Sequence, residues 1–217
     1  MKVAGIKGEK PNDECYTLPE TAEYLLDKYE DLFKDKKIIL PCDTENSELY
    51  KACLRHNIDC EIGQDMFNTD YTKYDLVFTN PPFSFAAKYI KYLHENNIKF
   101  VLFAGWITAL YASIRAKDIY YIEDFDRRGK PGEQYYWFIQ PDGNLKAVHW
   151  GLISNLPEAR KYVEAKPPVR TEPQEYWSHH SGIYADYIRY NYLDYDWRVQ
   201  ASAKDPKQRL QIRKRPD

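Results

Sequence analysis

From Leu18 onward, short unbroken apolar runs alternate with stretches whose apolar residues recur at three and four positions. Ala22, Leu25, Leu26, Tyr29 and Leu32 share one helical face, and Pro19 suits the first turn of that helix, where a missing N–H costs nothing. Lys37-Ile38-Ile39-Leu40 predicts a buried strand, ended by Pro41. Ser47 is placed to cap a second helix with the stripe Leu49, Tyr50, Cys53 and Leu54, which Asn57 closes. Ile58 to Ile62 and Tyr74 to Thr79 predict two further strands. A diproline breaks the latter, and a helix through Ala86, Ala87, Ile90 and Leu93 leads to a fourth strand, Phe100 to Ala104. This alternation of strand and helix predicts an α/β fold, a parallel sheet with helices on both faces.

Beyond Ala109 the pattern changes. Ile119 to Ile122, Gln134 to Ile139 and Ala147 to Ile153 predict strands, the last two joined by the turn Pro141-Asp142-Gly143-Asn144. That is a hairpin, expected as an antiparallel addition to the parallel sheet. Residues 1–12, with Gly5, Gly8, Pro11 and three lysines, read as a poorly ordered arm. Residues 166–182 read as an extended connector, and Tyr184 to Trp197 as a helix docking on the body. Lys204 to Arg215 carries six basic residues and reads as a solvated tail. The expected organisation is a main domain over residues 1–160 and an extension, 161–217, that is part of it or packed on it.

Composition narrows the chemistry. A net charge of −2 gives no global attraction to polyanions, so a nucleic acid would need a local basic surface. The 20 tyrosines suit base stacking and half-buried packing equally. No two of the four cysteines have zinc-knuckle spacing, and His179-His180 lack a third ligand, so no metal is expected. No run approaches a membrane span and no leader is evident, which makes a reducing cytoplasm the expected compartment.

The sharpest motif is Asn80-Pro81-Pro82-Phe83, directly after the strand ending at Thr79. In open parallel sheets, ligands bind beyond the carboxyl ends of strands. Methylating an aryl amine requires its delocalised lone pair to be turned toward the methyl donor. The Asn80 amide oxygen and the Pro81 carbonyl could each accept one N–H, holding the nitrogen closer to tetrahedral. The prolines fix the backbone that aims the carbonyl, and Phe83 could stack on the ring. A base in duplex DNA must first leave the stack, at a cost of a few kcal/mol that such stacking partly offsets. As plain structure, the same residues are a diproline strand stop with Asn80 in a turn.

With this motif in its place, the chain over residues 13–156 resembles the EcoRI-type adenine-specific DNA methyltransferases. Asp13-Glu14-Cys15-Tyr16-Thr17 resembles their amino-terminal cofactor motif, and Leu40-Pro41-Cys42-Asp43 stands where the first-strand motif lies. Gly63-Gln64-Asp65-Met66-Phe67 resembles the acidic turn at the cofactor adenine, and His149-Trp150 through Ser154-Asn155-Leu156 a late strand ending in Asn-Leu. The resemblance implies a Rossmann-like sheet, S-adenosylmethionine as cofactor, and N6-methylation of a flipped adenine by a bacterial or phage enzyme. It implies cofactor contacts from Tyr16, Thr17, Asp43, Glu45, Asp65 and Asn80, with Asn80, Pro81, Pro82 and Phe83 catalytic. Two departures stand out: Pro41-Cys42-Asp43-Thr44-Glu45 contains no glycine, and only 22 residues separate Asp43 from Asp65. One strand–helix unit is then missing, or Glu61 serves the cofactor ribose.

For DNA, Arg127, Arg128 and Lys130 lie on an expected loop with Gly129, Pro131 and Gly132, suited to phosphates or simply solvated. Lys204 to Arg215 would add salt-sensitive attraction. Four alternatives stay open. Pro41-Cys42 with Glu45-Asn46 resembles the nucleophile of cytosine-C5 methyltransferases, although the glycine-rich motif that should precede it is missing. Asn-Pro-Pro-aromatic also serves enzymes that methylate RNA guanine or protein glutamine. The fold could bind DNA without catalysing. Glu123, Asp124 and Asp126 are the carboxylates of a nuclease reading that lacks a matching lysine.

Overall fold

A computed structural model describes residues 15–63, 65–125, 138–139, 145–146, 150–164, 176–178, 195–202 and 205–214. Pro19 opens helix α1 (Pro19–Lys28), with Glu20 in its first turn and Lys28 in its last, each complementing the helix dipole. A short strand β1 (Tyr16–Thr17) precedes it. The single helix expected through Leu32 is broken at Tyr29, and α2 (Glu30–Phe33) resumes after the break. Strand β2 (Ile38–Leu40) follows, then α3 (Glu48–Arg55) and β3 (Cys60–Ile62). Next come β4 (Leu76–Thr79), α4 (Phe83–Glu95) and β5 (Phe100–Gly105). Asn57 and Asn97, at φ 54 and 55, close α3 and α4 in the left-handed conformation that asparagine tolerates.

The main sheet has six strands in the order β3-β2-β4-β5-β9-β6, where β6 is Tyr120–Phe125 and β9 is Trp150–Ser154. Strands β3, β2, β4 and β5 are mutually parallel, while β9 runs antiparallel to both β5 and β6. The centre of this mixed α/β sheet is buried along its length, as unbroken apolar runs require: every residue of β2, β4 and β9 is buried. Each fully buried Leu or Phe there contributes about 1.5–3 kcal/mol. Gly151 admits the close approach of neighbours in this region, since a Cβ on it would meet the Tyr121 ring at 2.2 Å and Ala109 Cβ at 2.7 Å.

From β2 the chain passes through α3 to the edge strand β3, then returns past β2 to β4 and proceeds outward to β5. These crossovers run in opposite directions, so right-handed connections put α3 and α4 on opposite faces. Helix α1 packs on α3, and α5 (Trp106–Arg115) on α4. The carboxyl ends of β2 and β4 therefore meet where the strand order reverses, the place an open α/β sheet leaves a crevice.

Several expectations need correction. Helix α5 was not foreseen. Of the expected hairpin, β7 (Phe138–Ile139) and β8 (Leu145–Lys146) pair antiparallel, Pro141–Asn144 lie outside the described residues, and the sheet is a separate one in which β7 also pairs with β1. The expected strand Ala147–Ile153 resolves into β9, inserted between β5 and β6 rather than continuing that hairpin. Lys204–Arg215, expected as a tail, is largely strand β12 (Asp205–Lys214), paired antiparallel with β10 (Tyr176–Ser178) and β11 (Tyr195–Ser202). Tyr195–Trp197 thus belongs to a strand, not to a helix. Helix α6 (Arg160–Glu164) packs on β6. The expected arm, residues 1–12, lies outside the described residues. Among the described residues no helix is long and apolar enough to cross a membrane.

Candidate active site

After β2, Asp43 N–H returns to the Leu40 carbonyl at 3.2 Å, which turns the Asp43 side chain toward β4. There the Thr79 hydroxyl donates to Asp43 Oδ2 at 2.8 Å, and Ser47 Oγ donates to Oδ1. Desolvation pushes the Asp43 carboxyl up to about 6, against the lowering effect of those two hydroxyls. Among the described residues no lysine or arginine pairs with it. The neighbouring Cys42 thiol is pushed up to about 12, first by burial and then by the Asp43 charge, so it stays protonated near pH 7. A nucleophile must be a thiolate, so the cytosine-C5 alternative does not fit this cysteine. No glycine loosens this first turn; Gly63 supplies the close approach instead, since a Cβ there would lie 2.9 Å from Pro41 Cα.

At the end of β4, Asn80 Nδ2 donates to the Cys15 carbonyl at 2.9 Å and to Thr17 Oγ1 at 3.3 Å. Its other side-chain atom, Oδ1, is buried and accepts no hydrogen bond. The carbonyl of Cys15 can only accept, which fixes which end of the amide faces it. Leaving an amide oxygen buried and unmatched costs about 1–3 kcal/mol, so it calls for a reason. Pro81 is buried, and Pro82 (φ −51, ψ 136) forms the N-terminal boundary of α4. Phe83 opens that helix half-buried, its ring 3.9 Å centroid to centroid from Trp150 and tilted by 57°.

The other expected site residues are distributed unevenly. Tyr16 is 51% exposed, whereas Thr17 is buried beside Asn80 and does not cap the helix at Pro19. Glu45 is exposed on the loop after Asp43. Asp65 is occupied in a turn: its carboxylate accepts from Phe67 N at 2.8 Å, Asn68 N at 3.2 Å and Asn68 Nδ2 at 2.6 Å. These bonds, that of Phe67 foremost, hold its carboxyl below the usual range. Glu61 is exposed and engaged by Lys37 Nζ at 2.7 Å and the Tyr74 hydroxyl at 2.5 Å. Both partners lie just before the amino ends of β2 and β4, so Glu61 faces away from the crevice. Arg127, Arg128 and Lys130, and likewise His179 and His180, lie outside the described residues. Among those described, no group of three or more His, Cys, Asp or Glu could hold a metal ion.

The sheet thus brings Asp43, Asn80 and Thr17 together and leaves Tyr16, Glu45, Glu61 and Asp65 in surface or turn roles. Sequence reasoning missed Thr79, Ser47 and the Cys15 carbonyl. Thr79, a hydroxyl at the buried end of an apolar strand, carried a signal; a backbone carbonyl carries none. Asn155 is structural, its amide bridging Phe100 N at 2.8 Å and the Ile98 carbonyl at 2.9 Å at the entry to β5. Glu123 also has a structural part, since it accepts from Tyr24 at 3.1 Å and Tyr29 at 2.5 Å and pairs with Lys28.

Compared with models of known protein families, the chain matches none. A comparison with curated proteins likewise finds no match.

Proposed function

We propose that this chain is a methyltransferase of Rossmann-like fold that transfers a methyl group from S-adenosylmethionine to an exocyclic amine, adenine N6 in DNA. One observation carries the reading: a buried amide oxygen without a partner, Asn80 Oδ1, at the reversal of strand order. The residues present suit the cofactor. Asp43 is a desolvated carboxylate served by two hydroxyls and, among the described residues, by no cation, which suits an ammonium group. Bound there, S-adenosylmethionine supplies a methyl group on a cationic sulfur. Asn80 Oδ1 accepts one N–H of the target amine and the Pro81 carbonyl the other, which turns the nitrogen lone pair away from the ring. Asn80 is neutral and takes no proton, so the methylated nitrogen loses its proton to water. Phe83 offers a ring edge or face to the base, braced from behind by Trp150.

Arg127, Arg128, Lys130 and the basic residues of Lys204–Arg215 supply phosphate contacts in this reading, with affinity that falls as salt rises.

The test is incubation of the purified protein with labelled S-adenosylmethionine and unmethylated DNA, followed by digestion to nucleosides and identification of the labelled one by mass. Label in N6-methyladenine with wild type, lost in Asn80→Ala, is the expected result. Label only in RNA or protein would move the reaction to guanine or glutamine, because the same two acceptors hold any planar amine. Absence of both transfer and cofactor binding would leave a binding module.

A further inference from the structure

An amide side chain has two unlike ends, and only one of them can accept from an amine. Rotation of the Asn80 side chain by half a turn would put its NH2 group where the unpartnered Oδ1 now stands and repel the target. Two groups select against that rotamer. The Cys15 carbonyl and Thr17 Oγ1 both accept from Nδ2, at 2.9 and 3.3 Å, and use the two N–H donors it has. Both acceptors come from the segment ahead of α1, which is anchored by pairing of Tyr16 with Ile139 and Thr17 with Phe138. Thr17 is buried, so water does not compete for this bond.

We infer that Thr17, with the main chain of Cys15, is a positioning element that locks the Asn80 amide with its oxygen toward the target amine; the inference rests on the reading of Asn80 as the amine acceptor. Thr17 then acts through Asn80, not by touching the cofactor. The same geometry specifies an amide over a carboxylate at position 80: with Asn80→Asp, an anionic oxygen would face the Cys15 carbonyl where an N–H donor now stands. The strand β1 is therefore a component of the reaction centre although it lies outside the main sheet.

The experiment compares wild type, Thr17→Val, Thr17→Ser and Asn80→Asp by steady-state methyl transfer and by the side-chain amide signals of Asn80 in protein labelled with 15N-asparagine. The signals are assigned by their loss in Asn80→Ala. Valine keeps the shape of threonine and removes the acceptor. Thr17→Val is expected to shift one Asn80 amide proton toward its free value and to lower kcat by about 10- to 100-fold, with KM for S-adenosylmethionine unchanged. Thr17→Ser, which keeps the hydroxyl, restores both readouts. Asn80→Asp is expected to be at least as impaired as Thr17→Val. A rise in KM for the cofactor at constant kcat in Thr17→Val would overturn the inference and assign Thr17 to the cofactor. Unmoved Asn80 amide signals would overturn it too. If wild type transfers no methyl group to any substrate, the methyltransferase reading fails by itself, and the amide signals alone decide whether Thr17 orients Asn80.

Discussion

Two carboxylates in this molecule are withdrawn from water among hydroxyl donors, and they are served very differently. Glu123, on β6, accepts from the Tyr24 and Tyr29 hydroxyls and pairs with Lys28. A register shift between Tyr121 and Glu123 marks a bulge in β6 beside it, the device by which a strand re-aims a side chain. Its charge is answered, and burial with that charge holds the Tyr29 hydroxyl protonated well above its ordinary range. Asp43, at the end of β2, has the Thr79 and Ser47 hydroxyls and, among the described residues, no cation. Desolvation dominates there and the carboxyl rises to about 6. A half-buried acid with its cation present is a tie between elements. One without it is, under the proposed function, a place for a cationic ligand.

The contrast can be broken first by ligand binding and transfer. Asp43→Ala should weaken S-adenosylmethionine binding by about 10- to 100-fold, the value of a charge-assisted bond, in a calorimetric titration. Glu123→Gln should leave that affinity and the rate of methyl transfer unchanged. Second, the two sites should respond in opposite senses to loss of charge when no ligand is bound. Glu123→Ala should destabilise the protein by about 2–3 kcal/mol in urea unfolding, mostly because Tyr29 loses the partner of a buried hydroxyl. Lys28 adds little, being 42% exposed. Asp43→Asn should stabilise the free protein at pH 7 by about 1–2 kcal/mol, because it removes a desolvated, unpaired charge.

The third effect is the pH slope of stability. The Asp43 carboxyl lies at about 6 in the folded protein against an ordinary 3.8, so the folded state binds this proton more tightly than the unfolded chain. Its stabilising contribution is present below pH 4, is lost as pH rises from about 4 to 6, and is constant above. Thermal unfolding across that window should show a downward slope in wild type that is reduced in Asp43→Asn.

The half of the molecule that holds Asp43 is also the half most legible in the sequence. Ile38–Leu40 and Leu76–Thr79 are buried throughout, so their strands appear as unbroken apolar runs. Pro19 and Asn57 sit where helix ends need a fixed φ or a left-handed residue. Asp43 and Asn80 follow two of those strands directly, so their place at the strand ends was legible before the sheet order was known. The antiparallel side was less legible because its structure is set by partners distant in the chain. Helix α5 opens on Trp106-Ile107-Thr108, residues with little helical preference, and holds because Ala109 and Ser113 are buried against the sheet. Strand β12 alternates Leu210 and Ile212 with basic and polar residues, and its four basic residues masked a period that only pairing with Val199 and Trp197 makes meaningful. Glu123 looked like a stray carboxylate for the same reason, since Tyr24 and Tyr29 lie 99 and 94 positions away.

The central claim is that the crevice between β2 and β4 accepts a cationic cofactor through Asp43. Its most direct test is calorimetric titration of S-adenosylmethionine into wild type and Asp43→Asn at pH 5 and pH 7. With a carboxyl near 6, the binding-competent ionised fraction rises about tenfold across that interval. Wild type should therefore bind about tenfold more tightly at pH 7, and Asp43→Asn should bind weakly with no such dependence. Absence of binding to wild type, or equal affinity in the two proteins at both pH values, would contradict the account.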